Sequence, residues 1–488
     1  MVCSCTANLT DPLFLSITEL TNQFRQRTLS PVELFQGVLA RSELVQSRLN
    51  AFRLIDGAKT LEAARESESR WARGEPLSAI DGVAIAIKDN QAVAGQKRTA
   101  GSLALQDLPP AVDDAPHVAR LREAGAILYA RTNMPDLAWK AVTDSPLSGL
   151  TRNPWNPQLT PGGSSGGAAV AVATGCVPLA TGSDGGGSIR IPAAFTGTYG
   201  IKPTTGRIPG INESPDITAI GPLTRSVRDA ALGLAIMCRA DRYDPMSAAL
   251  TVPDFVAATA AGVKGLRVAV SATLGYLTID TKTLALLDEA ARMLAGAGAV
   301  VERADPPIWN IRRAYVTVCE VAFAAAAAAM KPEQMALLDP GLIETCRRGM
   351  MTSAAIERQA QLERIKLMQA FARFFGDYDL LLTPCVPIAP FAAAMNLNTP
   401  DEHLYPEWYD WTPYTWVFNA AKLPAASCPW GLDENGLPRA VQLAAAHFPG
   451  RSHFAGQRSV GGREAVSPKL ALKENCSCLA ASAAERWP

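Results

Sequence analysis

The chain has 488 residues, 48% of them hydrophobic and 19% charged, and its 46 Lys+Arg balance its 46 Asp+Glu. A formal net charge of zero excludes the global field that nucleic acid or an anionic membrane surface would require. A neutral small molecule or an uncharged peptide-like compound suits it better, and the apolar fraction is ample for a large core.

In chain order, residues 1–11 lack the basic region followed by an apolar run that a signal peptide needs, so a cytoplasmic protein is expected. Residues 20–73 read as helical. Ser30-Pro31-Val32-Glu33 is a helix start, with Ser30 as N-cap, and Leu34, Val38 and Leu39 follow at helical spacing. Val83-Ala84-Ile85-Ala86-Ile87 is a β-prone apolar run that places Lys88 at the end of a buried strand. A helix at 117–124, Gly125 and a strand at 126–130 continue a strand–helix–strand rhythm, which implies an α/β sheet. Further strands are read at 266–270 and 380–382, with strongly helical stretches at 280–298 and 310–376. The longest apolar stretch, 321–330, is mostly alanine and too short to span a bilayer. Ten cysteines form no C-x-x-C pair, so no zinc site is expected. Cys3/Cys5 and Cys476/Cys478 lie at the two ends, and the other six read as small buried residues in a reducing cytosol. No fixed-period repeat or low-complexity linker divides the chain, so one large domain is the economical expectation.

The chemistry concentrates between residues 161 and 190. Gly162-Gly163-Ser164-Ser165-Gly166-Gly167 is followed by Gly182-Ser183-Asp184-Gly185-Gly186-Gly187-Ser188-Ile189-Arg190. A phosphate loop would need a lysine after its glycines, and a dinucleotide fingerprint would need a preceding strand where Asn153-Pro154-Trp155-Asn156-Pro157 stands. Residues 162–166 spell G-x-S-x-G, but a nucleophile elbow also needs that strand and a downstream histidine. Of the four histidines, only His403, His447 and His453 lie downstream, and none stands in a motif. The third reading uses Lys88, Ser164 76 residues later, and Ser188 24 residues further on. A serine hydroxyl needs a neighbouring base. A buried lysine can serve, because burial disfavours its charge, and a second serine can bridge the proton transfer. The side-chain-free Gly185-Gly186-Gly187 run can aim backbone N–H groups at a developing oxyanion, each donor being worth about 3–4 kcal/mol of barrier elsewhere.

These stretches, with Asp81-Gly82-Val83-Ala84-Ile85-Ala86-Ile87-Lys88-Asp89-Asn90, resemble the amidase-signature family of Ser–cisSer–Lys amide hydrolases. The similarity is clearest over 75–210 and returns at 411–442, where Pro424-Ala425-Ala426-Ser427 and Gly436-Leu437-Pro438 resemble the family's C-terminal strands. The resemblance implies an α/β fold with a mixed, mostly central sheet covered by helices on both faces. A helical segment at 1–74, an α/β domain at 75–448 with a helical insert at about 280–376, and a divergent tail at 449–488 are expected. It further implies Ser188 as nucleophile, Ser164 as the relay serine after a cis Gly163–Ser164 bond, Lys88 as base, a water that deacylates, and no metal or cofactor. Ser165 is expected to support Lys88, and Asp184 to pair with Arg190 and brace the oxyanion loop. Gly185 departs from the family, which commonly carries Thr or another side chain there, so the stiffness of that loop, not its donor count, is in question.

The substrate would be a small amide, and Trp139, Trp411, Tyr414, Trp416 and Phe418 lie near the motif edges as candidates for an aromatic wall. Trp139, Cys319, Trp411 and Tyr414 are the substrate-binding candidates, and core packing is the competing fate of all of them. The rival function is the glutaminase/transamidase subunit of a tRNA-dependent amidotransferase, which would need partner subunits. A silent binding member is disfavoured by the intact Lys88, Ser164 and Ser188. No nucleic acid or membrane partner is expected, and a homodimer is compatible with the sequence. After Gln442 the Pro449-Gly450 break and the Gly-, Ser- and Ala-rich composition of 450–488 suggest a disordered tail in place of a final helix.

Overall fold

The computed structural model describes residues 11–210, 216–242, 244, 247 and 251–447. The expected tail, His453 and the two terminal cysteine pairs lie outside them. Local signals start the first helices. Ser16 and Glu19 form a reciprocal capping box at α1 (Ile17–Gln26). Ser30 and Glu33 do the same at α2 (Pro31–Leu49), with Pro31 in the first turn.

Between α2 and α3 (Gly57–Arg73) the chain is not helical, and β1 (Phe52–Ile55) runs antiparallel to β3 (Ile127–Thr132) with Phe52 opposite Thr132. This corrects the helical reading of 20–73. The strand has four residues and only Phe52 is buried, so its alternation is too short to stand out between two strong helices. In chain order the other strands are β2 (Ala84–Lys88), β3 (Ile127–Thr132), β4 (Asp144–Ser145), β5 (Gly149–Leu150), β6 (Leu179–Asp184), β7 (Tyr199–Lys202), β8 (Ala219–Thr224), β9 (Arg267–Val270), β10 (Val300–Arg303), β11 (Leu380–Pro384), β12 (Ala425–Leu432) and β13 (Pro438–Ala445). β4 pairs only with β5. The other eleven form one sheet in the order β1-β3-β2-β6-β8-β7-β12-β13-β11-β9-β10. β2 lies parallel to β3 and β6, and β9 to β10 and β11, while the remaining pairs are antiparallel.

The remaining helices are α4 (Pro116–Glu123), α5 (Gly166–Ala173), α6 (Arg190–Thr196), α7 (Val227–Met237), α8 (Phe255–Ala258), α9 (Thr281–Gly296), α10 (Arg312–Ala328), α11 (Pro332–Met335), α12 (Pro340–Met350), α13 (Ala354–Asp377) and α14 (Pro413–Ala420). Along β11 and β13 the two-residue period divides the core. Leu380, Leu382, Val441 and Leu443 pack with Leu286 and Leu287 of α9. Leu381 and Ala444 face the opposite way, into a cluster with Tyr315, Leu342, Phe371 and Phe418 of α10, α12, α13 and α14. Helices thus cover both faces of a mixed sheet within one domain. Every residue of β2 and β6 is buried, as central strands covered on both faces require. The six described cysteines are all buried.

Candidate active site

Parallel neighbours deliver their C-terminal ends to the same edge of the sheet. Ile85 lies opposite Leu179 and Ala86 opposite Ala180, so Lys88 at the end of β2 and Asp184 at the end of β6 emerge side by side. Residues 162–165 lead into α5 at that edge, with the Gly163–Ser164 peptide bond cis. Residues 185–188 lead from β6 into α6. The two loops are tied by the Ser165 N–H donating to the Ser188 carbonyl at 3.0 Å.

Lys88 is completely buried and its Nζ meets four oxygens: Ser164 Oγ at 2.7 Å, Ser165 Oγ at 2.8 Å, Ser183 Oγ at 3.0 Å and the Ser183 carbonyl at 3.3 Å. Burial pushes its pKa down to about 7, with the nearby Asp184 charge opposing the shift. Ser165 Oγ also donates to the Ser183 carbonyl at 3.3 Å, and Asn90 Nδ2 donates to Ser183 Oγ at 3.0 Å. Ser188 is half-buried and lines the same cleft as Ser164. No hydrogen bond joins their two hydroxyls among the described contacts.

Asp184 and Arg190 form a buried bidentate pair, Nε to Oδ2 at 3.0 Å and Nη2 to Oδ1 at 2.9 Å. Burial pushes the Asp184 carboxyl up, but the Arg190 guanidinium, Lys202 and Asn419 outweigh it and hold it below the usual carboxylate range. The carboxylate also accepts the Gly187 N–H at 2.7 Å and the Ile189 N–H at 3.1 Å. That corrects the expectation for Gly187, whose N–H is engaged by Asp184 and does not point at a ligand. The Gly187 backbone has φ +125°, and a Cβ there would lie 2.4 Å from Thr415 Oγ1, so only glycine fits. Arg190 Nη1 donates to Gln442 Oε1 at 2.7 Å and to the Thr415 carbonyl at 2.9 Å. Asn419 Nδ2 reaches the Asp184 carbonyl at 2.7 Å.

The cleft over Ser188 has a volume of about 180 Å³. Trp139 and Cys319 line it, as does an apolar wall of Leu137, Tyr315, Phe323 and Trp408; Asn90, Arg98 and Thr218 stand at its polar side. Burial pushes the Cys319 thiol up to about 12, so it stays protonated. Trp411 and Tyr414 do not line the cleft, which corrects their assignment. Trp411 is fully buried, stacks on Phe195 at 6.1 Å and donates to the Asn398 carbonyl at 2.9 Å. The Tyr414 hydroxyl donates to the Ala272 carbonyl at 2.6 Å. Trp416 and Phe418 are likewise core. Every residue of α14 after Pro413 is buried, its polar Thr415 and Asn419 included, so the helix is enclosed by the core.

Sequence reasoning passed over Ser183, Asn90, Tyr315, Trp408, Asn419 and Gln442. Ser183 stood inside a motif already singled out. Gln442 carried a usable signal, an amide alone between Val441 and Leu443 in a buried strand, because such a group must find partners. Its partner Arg190 lies 252 residues away, and no local pattern links the two.

A model of the family described as Amidase matches residues 33–450. The acylamidase of Rhodococcus erythropolis is 34% identical over 470 residues, covering 93% of this chain and 96% of that protein. One glutamyl-tRNA(Gln) amidotransferase subunit, from Alkaliphilus metalliredigens, is 32% identical over 463 residues, covering 89% of this chain and 93% of that protein. A solved bacterial aryl acylamidase of the amidase-signature family superposes with a TM-score of 0.83 at 29% identity, covering 96% of this chain and 95% of that one. The chain belongs to the amidase-signature family, a hydrolase acting on carbon–nitrogen amide bonds.

Proposed function

We propose that this protein hydrolyses an aryl or otherwise apolar carboxylic amide to the free acid and an amine or ammonia, through an acyl-enzyme on Ser188. The observation that carries the reading is the contact of Lys88 Nζ with Ser164 Oγ at 2.7 Å in a fully buried setting. A neutral lysine has two N–H donors and one lone pair, which accepts one hydrogen bond from a neighbour. Ser165 donates to the Ser183 carbonyl, which leaves the Ser164 hydroxyl available to donate to Nζ. Lys88 then takes the Ser164 proton, Ser164 takes the Ser188 proton, and Ser188 Oγ attacks the amide carbonyl. The Ser164–Ser188 hydrogen bond closes in the Michaelis complex, where catalytic contacts commonly tighten. The oxyanion faces the amides of Gly185, Gly186 and Ser188. The tetrahedral intermediate collapses as the relayed proton passes to the leaving nitrogen, and a water repeats the sequence to release the acid.

The cleft lining favours an apolar amide over glutamine. Among the described lining residues Arg98 is the charged side chain, and no carboxylate is present for an α-ammonium group. A zwitterionic amino acid would need partners for both charges. The identity to an acylamidase and the likeness to an aryl acylamidase support the same choice.

The test is a panel of amides, from acetamide-like through anilide to glutamine, assayed by acid release, together with mapping of a fluorophosphonate adduct. Anilide hydrolysis and an adduct on Ser188 are expected. An adduct on Ser164, or full activity in Lys88→Ala, would overturn the roles; glutaminase activity that depends on added partner subunits would establish the rival function.

A further inference from the structure

The sequence left the stiffness of the Gly185-Gly186-Gly187 loop in question, because residue 185 has no side chain of its own. The structure holds each of these peptides from a different element. The Tyr315 hydroxyl, on α10, donates to the Gly185 carbonyl at 2.9 Å. Thr415 Oγ1, on α14, donates to the Gly186 carbonyl at 2.7 Å. Asp184, on β6, receives the Gly187 N–H. The Tyr315 ring is itself immobilised, stacked on Trp416 at 5.1 Å and meeting Tyr409 edge-on at 6.0 Å. Its hydroxyl lies so close to Gly186 that a Cβ there would come within 2.3 Å of it.

In a peptide unit the C=O and the following N–H point in opposite directions. A donor that fixes the Gly185 carbonyl therefore also fixes the direction of the Gly186 N–H. We propose that Tyr315 is a positioning residue for the oxyanion, holding the Gly185–Gly186 peptide so that the Gly186 N–H faces the substrate carbonyl oxygen. The same helix supplies the cleft wall, with Cys319, Ala322, Phe323 and Ala326 following Tyr315 at helical spacing and all lining the cleft. The wall that contacts the substrate and the clamp on the oxyanion loop are thus one rigid body. A substrate that seats poorly against α10 is expected to lose kcat as well as affinity. This inference rests on the acyl-enzyme reading above and extends it to a residue outside the signature motifs.

Tyr315→Phe keeps the ring and its stacking and removes only the donor. An oxyanion donor set free to reorient is expected to lower kcat on an anilide about 10-fold or more, with KM changed less than about 2-fold. A trifluoromethyl ketone, which forms a tetrahedral oxyanion on the serine, is expected to lose affinity by the same factor as kcat/KM, while the product acid binds unchanged. Thermal melting of the variant monitors folding. Wild-type kcat and ketone affinity in a folded Tyr315→Phe protein would overturn the proposal. So would parallel losses of ketone and product-acid binding, the mark of a general distortion of the cleft. If the wild-type enzyme neither hydrolyses amides nor reacts at Ser188 with a fluorophosphonate, the acyl-enzyme reading itself fails, an outcome distinct from either of these.

Discussion

Lys88 shows how one burial decides a chemistry. An exposed lysine is protonated at neutral pH and cannot act as a base, whereas Lys88 is desolvated until its pKa falls to about 7. In the proposed mechanism the neutral form is active. The sign is therefore set: kcat/KM should rise about tenfold per pH unit below about pH 7 and level off above it. A pH profile on an anilide checks this, and a limb that falls with rising pH through that range would remove Lys88 as base. Ser183 refines the same point, since its hydroxyl accepts from Nζ at 3.0 Å. A hydrogen bond accepted from the ammonium favours the charged form. Ser183→Ala should therefore move the limb to lower pH, with Asn90 losing its hydroxyl partner at the same time.

In the proposed mechanism the loop from β6 to α6 is the element on which the rate depends. Gly186 is required by close packing: a Cβ there would lie 2.9 Å from the Trp408 ring as well as against the Tyr315 hydroxyl. Gly186→Ala should displace the loop or its clamps and lower the single-turnover rate by a factor on the order of 10²–10³. A rate within about twofold of wild type would show that Gly186 is not held as tightly as its contacts imply. Gly185 differs, since the nearest atom to a Cβ there is Thr218 Oγ1 at 3.0 Å, the end of a single small side chain. The loop thus tolerates the absence of a side chain at 185 because its three peptides are held from outside.

At the scale of the molecule, the segment from α10 to α13 packs over the site through the cluster that contains Trp139 and Trp408. A buried ion cluster anchors it. Lys140 Nζ bonds Asp144 and Asp339 at 2.9 Å each, and Asp339 also caps α12 by accepting the Gly341 N–H at 2.9 Å. Removing one member of such a cluster strands buried charge, at a typical cost of about 3–5 kcal/mol. Lys140→Met should lower the melting temperature accordingly, and an unchanged melt would show that the carboxylates relax to solvent. No helix among the described residues is long and apolar enough to cross a membrane.

The chain's sequence alone determined the elements that rest on local rules: the Ser30 capping box, the apolar run ending at Lys88, and the glycine–serine clusters around Ser164 and Ser188. It also located Lys88, Ser164 and Ser165, whose two hydroxyls the fold brings within 2.8 Å of the lysine Nζ, because short motifs with fixed backbone demands are written in consecutive residues. Only the tertiary structure decided which aromatics line the cleft, replacing Trp411 and Tyr414 with Tyr315, Phe323 and Trp408. Burial depends on what packs against a side chain, and an aromatic in a largely apolar segment reads the same in the core as in a pocket. The strand β1 was hidden for a related reason, since four residues pair through a partner some eighty positions away. The clamps on the oxyanion loop belong to the same class, because hydrogen bonds between α10, α14 and β6 exist only once the sheet and its helical cover have closed around them.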